Sequence, residues 1–279
     1  MGMMQNFYDL LKCPDCGGKI AFETEHCSLC FREFHADAFG IINMLSLKKK
    51  EIPPIYFDSD YVKWRKMFPS VFESRGSAHR AVDESTHHWT AQMFAHRTLK
   101  DKGWVADLGC GVRDISCDSA SSVKRIGVDI DRSYLEELSK GTKKRFLVQA
   151  DIESLPFQDE AIHCCFVLHA LEHIYNLRYA VKEIKRVTRA GGYVYVGLPC
   201  EGGILRDFLR SVTTAKRNSK RFGIDYEKVC RIEHCQKARD VIDMLKKEFK
   251  MVGSHFFPLS LLPSIHINLT VSFEFQKLV

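Results

Sequence analysis

Trp104-Val105-Ala106-Asp107-Leu108-Gly109-Cys110-Gly111 is a short apolar run that breaks into a glycine turn with a carboxylate just before it. Further along, Arg125-Ile126-Gly127-Val128-Asp129 repeats the pattern and ends on a carboxylate. Phe146-Leu147-Val148-Gln149-Ala150-Asp151 does so again. Cys164-Cys165-Phe166-Val167-Leu168 and Tyr193-Val194-Tyr195-Val196-Gly197 are two more apolar runs. A helical pattern from Leu177 to Thr188 separates these last two and is expected to stop at Ala190-Gly191-Gly192. Strands that alternate with helices predict parallel βαβ units and a doubly wound α/β sheet. Ligands of such sheets bind beyond the carboxyl ends of the strands.

Those ends hold the candidate residues. Gly109 and Gly111 let the backbone approach a ligand closely. Asp129, 22 residues after Asp107, stands where a carboxylate can accept both hydroxyls of a ribose. Asp151 beside Ile152 suits an adenine amino group against an apolar wall. A strand, a glycine turn and a ribose acid fit a nicotinamide dinucleotide as well as S-adenosylmethionine.

Taken in order, V-A-D-L-G-C-G, G-V-D-I-D, A-D-I-E-S-L-P-F, L-E-H-I, E-I-K-R-V-T-R-A-G-G-Y and G-L-P resemble the class I S-adenosylmethionine-dependent methyltransferases over about residues 100–200. The subgroup they are most similar to contains the ubiquinone and menaquinone C-methyltransferases. The resemblance implies a Rossmann-like seven-stranded sheet closed by an antiparallel hairpin, which Ser254–Phe257 and Leu269–Phe275 suit. It implies that Asp107, Gly109 and Gly111 line the methionine end of the cofactor, Asp129 the ribose, and Asp151 with Ile152 the adenine. His169 is expected beside the cofactor. One departure is Arg113, where many members have a third glycine. A dinucleotide pyrophosphate needs that glycine and a helix N-terminus, whereas S-adenosylmethionine has no phosphate, so the change counts against the dinucleotide.

No residue emerges as the catalytic base. Glu172-His173 is a candidate pair that also suits a purely orienting role. Methyl transfer from a sulfonium is an in-line displacement in which alignment supplies much of the rate. Cys200 follows the fifth strand, where some RNA cytosine methyltransferases keep a nucleophile; those also carry a cysteine after the fourth strand, which is absent here and argues against that role, while Cys164 and Cys165, inside a strand, are expected in the core.

The amino-terminal part reads differently. Cys13-Pro14-Asp15-Cys16 and Cys27-Ser28-Leu29-Cys30 are two C-x-x-C pairs, a spacing that sets four thiolates around one Zn²⁺. A closed four-sulfur shell is structural, since it leaves no position for water or substrate. His26 and His35 are then bystanders, and Lys19–Phe22 and Phe31–Phe34 read as short strands. The stretch resembles zinc-ribbon modules that precede or partner methyltransferase domains. The expected division is a zinc ribbon at 1–47, a linker and helical lead-in at 48–100, and a methyltransferase domain at 101–279 with a basic insertion at about 201–250.

The chain has 279 residues, 45% hydrophobic and 27% charged, which is globular composition. Eleven cysteines, an odd number, and a start (MGMMQNFYDLL) without a basic-then-apolar leader predict a reduced, cytoplasmic protein. The uncharged run Gly253–Phe273 contains Pro258, Pro263, His255, His266 and Asn268, which argues against a transmembrane segment. Lysine and arginine exceed the acids by 6, and from Arg206 to Lys250 alone there are 13 against 7. That segment is either a solvated helix face or a site for phosphate, RNA or an anionic membrane surface.

The favoured function is an S-adenosylmethionine-dependent methyltransferase acting on a small-molecule, sugar or lipid-linked acceptor. One alternative is an rRNA or tRNA base methyltransferase that grips RNA through the zinc ribbon and the segment 206–250. The other is a non-catalytic methyltransferase-like binding module.

Overall fold

The computed structural model describes residues 2–48, 50, 53–73, 77–98, 103–113, 123–141 and 145–278. The chain begins with helix α1 (Gly2–Tyr8), the hairpin strands β1 (Ile20–Ala21) and β2 (His26–Cys27), and strand β3 (Ile41–Asn43). Helices α2 (Ser59–Glu73) and α3 (Ser77–Thr98) follow. The alternating part runs β4 (Trp104–Leu108), β5 (Lys124–Asp129), α4 (Arg132–Ser139), β6 (Phe146–Gln149), β7 (Ile162–Leu168), α5 (Leu177–Val187) and β8 (Thr188–Pro199). Then come α6 (Ile204–Leu209), α7 (Lys216–Phe222), α8 (Tyr226–Glu233), α9 (Ala238–Glu248), β9 (Lys250–Phe257) and β10 (Thr270–Gln276). A π-helical turn, Arg210–Ala215, joins α6 to α7. Among the described residues no helix is long and apolar enough to cross a membrane.

One eight-stranded sheet, in the order β3-β6-β5-β4-β7-β8-β10-β9, forms the centre. Strands β3 to β8 pair in parallel, and β10 lies antiparallel between β8 and β9. Seven of these strands are the expected α/β set, including the terminal hairpin. The near-continuous apolar runs follow from burial on both faces: Val128, Val148, Val167 and Val196 are all within the core. Helix α5 buries Leu177, Ala180, Val181, Ile184 and Val187, the three-four spacing of one helical face. It stops at Val187, and Thr188 already opens β8, so the expected glycine stop falls inside the strand.

The eighth strand comes from the cysteine-rich part. Ile41, Ile42 and Asn43 pair with Leu147, Val148 and Gln149, and the Met44 N–H extends the ladder to Gln149 O at 2.8 Å. Without β3, β6 would be an open edge with unpaired backbone groups. The Lys12 N–H donates to Pro156 O at 3.0 Å and the Gln158 N–H to Leu10 O at 2.7 Å. Phe7 stacks on Phe146 with ring centres 4.1 Å apart, and Phe7, Tyr8, Leu11 and Cys13 belong to the same apolar cluster as the sheet. Arg132, the first residue of α4, is ion-paired with Asp37.

The two short strands near the cysteines differ from the expectation in one half. Ile20–Ala21 falls within 19–22, but its partner is His26–Cys27 and not Phe31–Phe34. Phe31 sits at φ 60°, a left-handed conformation that turns the chain back toward Cys27, and pairing resumes only beyond it, where Glu33 forms an isolated antiparallel bridge with His26 on the other edge of that strand.

Helix α3 lies on β8, β10 and β9, while α2 packs on α8. A Cβ at Gly197 would stand 2.3 Å from Thr86 Cγ2, so glycine is what allows α3 to lie directly on β8. Thr86 bonds to Thr270 at 3.3 Å, and Trp89 stacks on His255.

Candidate functional site

Asp107, Asp129 and Asp151 stand at the carboxyl ends of β4, β5 and β6, three adjacent strands, and His169 at that of β7, the next one. Asp107 is next to last in β4 and half-buried. The chain then folds back over β5: the N–H groups of Gly109 and Cys110 both donate to Val128 O, at 2.8 and 3.0 Å. Gly109 has φ +73° and Gly111 φ +55°, and a Cβ on Gly109 would meet Ala170 Cβ at 2.6 Å. Only glycine meets both demands at residue 109.

The fold-back delivers the Gly111 N–H to Asp129 Oδ2 at 2.8 Å, while Asp129 Oδ1 accepts from the Asp131 N–H at 2.9 Å. Asp129 ends β5 and is buried. Burial raises its carboxyl above the ordinary range, and the two amides only partly oppose this. Each oxygen keeps a lone pair for a further donor.

Asp151 lies two residues beyond β6, next to buried Ile152. Its Oδ1 accepts from the Glu153 N–H, and its Oδ2 is 2.7 Å from Lys50 Nζ. Lys50 lies in the segment between the cysteine module and α2. Nothing in its local sequence marks it as a partner of a residue 101 positions away.

Arg113 pairs with Asp83 of α3 at 3.6 Å, which gives the position of the missing third glycine a role of its own. Arg65 of α2 reaches Asp131 at 3.5 Å and Glu233 at 3.9 Å, and so joins the end of β5 to the end of α8.

His169 is the first residue after β7 and sits at φ 55°, with its N–H bonded to Gly197 O at 2.9 Å. A non-glycine residue held in this conformation is a marker of functional sites. Burial, with His87 and Arg206 nearby, pushes its imidazole down to about 3, so the ring is neutral at physiological pH. Its Nε2 is buried without a hydrogen-bond partner, as is Glu172 Oε2. Glu172 Oε1 lies 3.8 Å from His169 and 3.9 Å from His173. His173 Nδ1–H donates to the Glu233 carbonyl at 2.7 Å. Glu172 is buried at the base of this group, which raises its carboxyl.

A second buried acid, Glu201, was not among the expected residues. It follows β8 and is held by Arg206 Nε at 2.8 Å, by His234 Nδ1–H at 2.7 Å and by Arg210. The group ties α6 and the end of α8 to the sheet. Arg206 and Arg210 are therefore directed inward, and Lys228 is held by Asp58 and Asp60 at 2.9 and 3.0 Å. These three cations of the basic segment serve internal ion pairs, which removes them from the expected RNA grip. Cys200 is fully buried and its thiol is raised to about 12 by that burial, so it is inert as a nucleophile. Cys164 and Cys165 are core residues, as expected.

In the amino-terminal module the four cysteines Cys13, Cys16, Cys27 and Cys30 bring their sulfurs within 4.8 Å of one another. The Cys13–Cys30 and Cys16–Cys27 separations are 3.6 and 3.4 Å. A tetrahedral zinc with bonds of about 2.3 Å has sulfur–sulfur edges of about 3.8 Å, so the donor set and its spacing fit that ion. A Cβ on Gly18 would lie 2.7 Å from Cys27 Sγ, which explains a glycine between the pairs. Around the sulfurs, Asp15 accepts from Arg32, from the Ser46 hydroxyl at 2.8 Å and from the Leu47 N–H at 2.7 Å. His26 is exposed beside Glu33 and stands apart from the sulfur group.

A family model described as a methyltransferase domain matches residues 106–196. Among curated relatives, a malonyl-[acyl-carrier protein] O-methyltransferase of Hamiltonella defensa is 33% identical over 33% of this chain and 36% of its own length. A ubiquinone/menaquinone biosynthesis C-methyltransferase of Bdellovibrio bacteriovorus is 26% identical over 47% of this chain and 60% of its own length. An uncharacterized protein of Methanocaldococcus jannaschii is 32% identical over 59% of this chain and 73% of its own length. The chain thus spans about a third of the first of these relatives and three fifths of the second. A solved Pyrococcus horikoshii protein has the same fold, with a TM-score of 0.54 at 16% identity, covering 77% of this chain and 98% of that one.

Proposed function

The chain belongs to the S-adenosylmethionine-dependent methyltransferase family, and on that premise we propose that it transfers a methyl group from this cofactor to a small-molecule, sugar or lipid-linked acceptor. The observation that carries the reading is the bond from the Gly111 N–H to Asp129, which ties the glycine turn to the second acid at the ends of two adjacent strands. Asp107, Gly109 and Gly111 would hold the methionine end, Asp129 the ribose hydroxyls, Asp151 and Ile152 the adenine, with His169 beside the cofactor. When bound, the cofactor supplies an electrophilic methyl group on a sulfonium. The chain's part is to align the acceptor with that methyl and to exclude water. The names of the O- and C-methylating relatives support a small acceptor.

The four-sulfur centre would hold one structural Zn²⁺ through Cys13, Cys16, Cys27 and Cys30. Its role is to fold the segment that supplies β3.

The test is calorimetric titration with S-adenosylhomocysteine, followed by transfer of labelled methyl from the cofactor into an extract by native protein and by Asp129→Ala. Binding that the substitution weakens, with label entering a ribonuclease-resistant small-molecule fraction, supports the reading. The absence of any binding heat overturns it.

A further inference from the structure

Helix α6, the π-turn and α7 form one continuous rod from Ile204 to Phe222. Its inner face carries Arg206 and Arg210, bound to Glu201, and buried Ala215 and Asn218. Its outer face is divided. The first half presents Ile204, 72% exposed, and Phe208, 60% exposed, with Leu209 and Val212 beside them. The second half presents Lys216, Arg217, Lys220 and Arg221. A π-turn holds more than 3.6 residues, so it offsets the drift of positions four apart and keeps Ile204, Phe208, Val212, Lys216 and Lys220 on one side. None of the four cations forms an ion pair with a described carboxylate, although Asp225 and Glu227 share a shallow hollow with Lys216.

A second element adds to the apolar half. The loop between β9 and β10 is pinned to α6 by the Leu205 N–H, which donates to His266 O at 2.9 Å. That loop exposes Leu261 by 93%, with Leu259 and Leu262 on either side. Thr270 pairs with Pro199, so rod and loop both leave the sheet at the end where Asp107, Asp129 and Asp151 stand.

We propose that this surface docks on an anionic lipid bilayer, with the leucines and Phe208 entering the headgroup boundary and the α7 cations lying against the headgroup charges. An exposed apolar patch edged by cations of one sign is unfavourable in water and complementary to such an interface. The docked orientation turns the acceptor side of the protein toward the membrane, so the acceptor is an amphiphile held in the bilayer. That last step rests on the proposed methyl transfer; the docking does not.

The experiment is flotation with vesicles of phosphatidylcholine alone and of three parts phosphatidylcholine to one part phosphatidylglycerol. Cofactor binding is measured in parallel for each variant, so a failed fold or a failed transferase reading registers separately. The native chain is expected to float with the anionic vesicles and to be released by high salt. Phe208→Ser with Leu261→Ser, and separately Lys216→Glu with Lys220→Glu, are each expected to lower partitioning by about tenfold or more while cofactor binding stays unchanged. The proposal is overturned if the native chain ignores anionic vesicles or if neither pair of substitutions changes the partitioning. It is also overturned if the chain self-associates without lipid and Phe208→Ser makes it monomeric, because the patch then covers a second copy.

Discussion

Lys50 Nζ stands 2.7 Å from the Asp151 carboxylate and, from the same position, 2.7 Å from that of Glu153. A cation from the lead-in thus rests on the acid proposed to read the adenine. The lysine side chain is half-exposed, so the contact is weak in energy. Removing it frees Asp151 as an acceptor for the adenine amino group, an effect that the homocysteine product and the methylated cofactor share. Lys50→Ala is expected to tighten S-adenosylhomocysteine binding by about two- to fivefold in calorimetry, and the gain is expected to shrink with added salt. A weakened affinity would mean that Lys50 positions the acid.

Asp129 gives a pH signature. Its carboxyl is raised by burial, so it takes up a proton at a higher pH than an ordinary aspartate. A carboxylate raised on folding favours the folded state below its unfolded pKa, and this contribution is lost as pH rises through the folded value. Cofactor binding has the opposite sign, because the ribose hydroxyls need the charged form. Affinity is therefore expected to fall on acidification before ordinary carboxylates titrate, and Asp129→Ala is expected to remove that dependence. The substitution also costs about 2–4 kcal/mol of binding through two lost charge-assisted bonds.

Glu201 titrates the other way. Burial alone would raise its carboxyl, but the His234 hydrogen bond and the Arg206 and Arg210 charges outweigh burial and hold it far below the usual range. Its stabilisation is present above its unfolded pKa and is lost as pH falls toward the depressed value. Glu201→Gln is expected to cost about 2–3 kcal/mol in urea unfolding at neutral pH, below a fully buried pair because the cationic partners keep some water. The variant is also expected to lose less stability than the native chain on going to acid. Equal acid sensitivity would show that the group contributes little.

The four-cysteine centre predicts that the chain carries about one equivalent of zinc by elemental analysis, lost in Cys27→Ser. Because Phe7, Tyr8, Leu11 and Cys13 share the apolar cluster of the sheet, removal of the metal affects more than the first residues. Chelation is expected to lower the main thermal transition by about 10 °C or more. A separate low-temperature step with an unmoved main transition would show the two parts to be energetically independent.

How much of this is legible in the sequence depends on whether the information is local. Asp107, Asp129 and Asp151 were readable because each ends an apolar run, and a parallel sheet aligns the ends of adjacent strands. The cysteine pairs were readable because their spacing is itself the geometry. Strand β3 was not, since Ile41–Asn43 is too short for a periodic signal and its partner lies about a hundred residues away. Glu201 was hidden for a related reason: its partner His234 is 33 positions distant. The outer stripe of α6 and α7 was partly visible. A charge count found Lys216 to Arg221, but separating inward Arg206 and Arg210 from the outward apolar residues needed the packing.

The strand supplied by the cysteine module has one more consequence. A chain trimmed to begin near Trp104 would keep every residue proposed for the cofactor, yet its Phe146–Gln149 ribbon would be bare, with Phe146 robbed of the ring that lies on it. Such a fragment would recruit other copies of itself along that margin and precipitate. The metal knuckle thus acts as a selvedge, the woven border that stops a cloth from unravelling or catching on its neighbours.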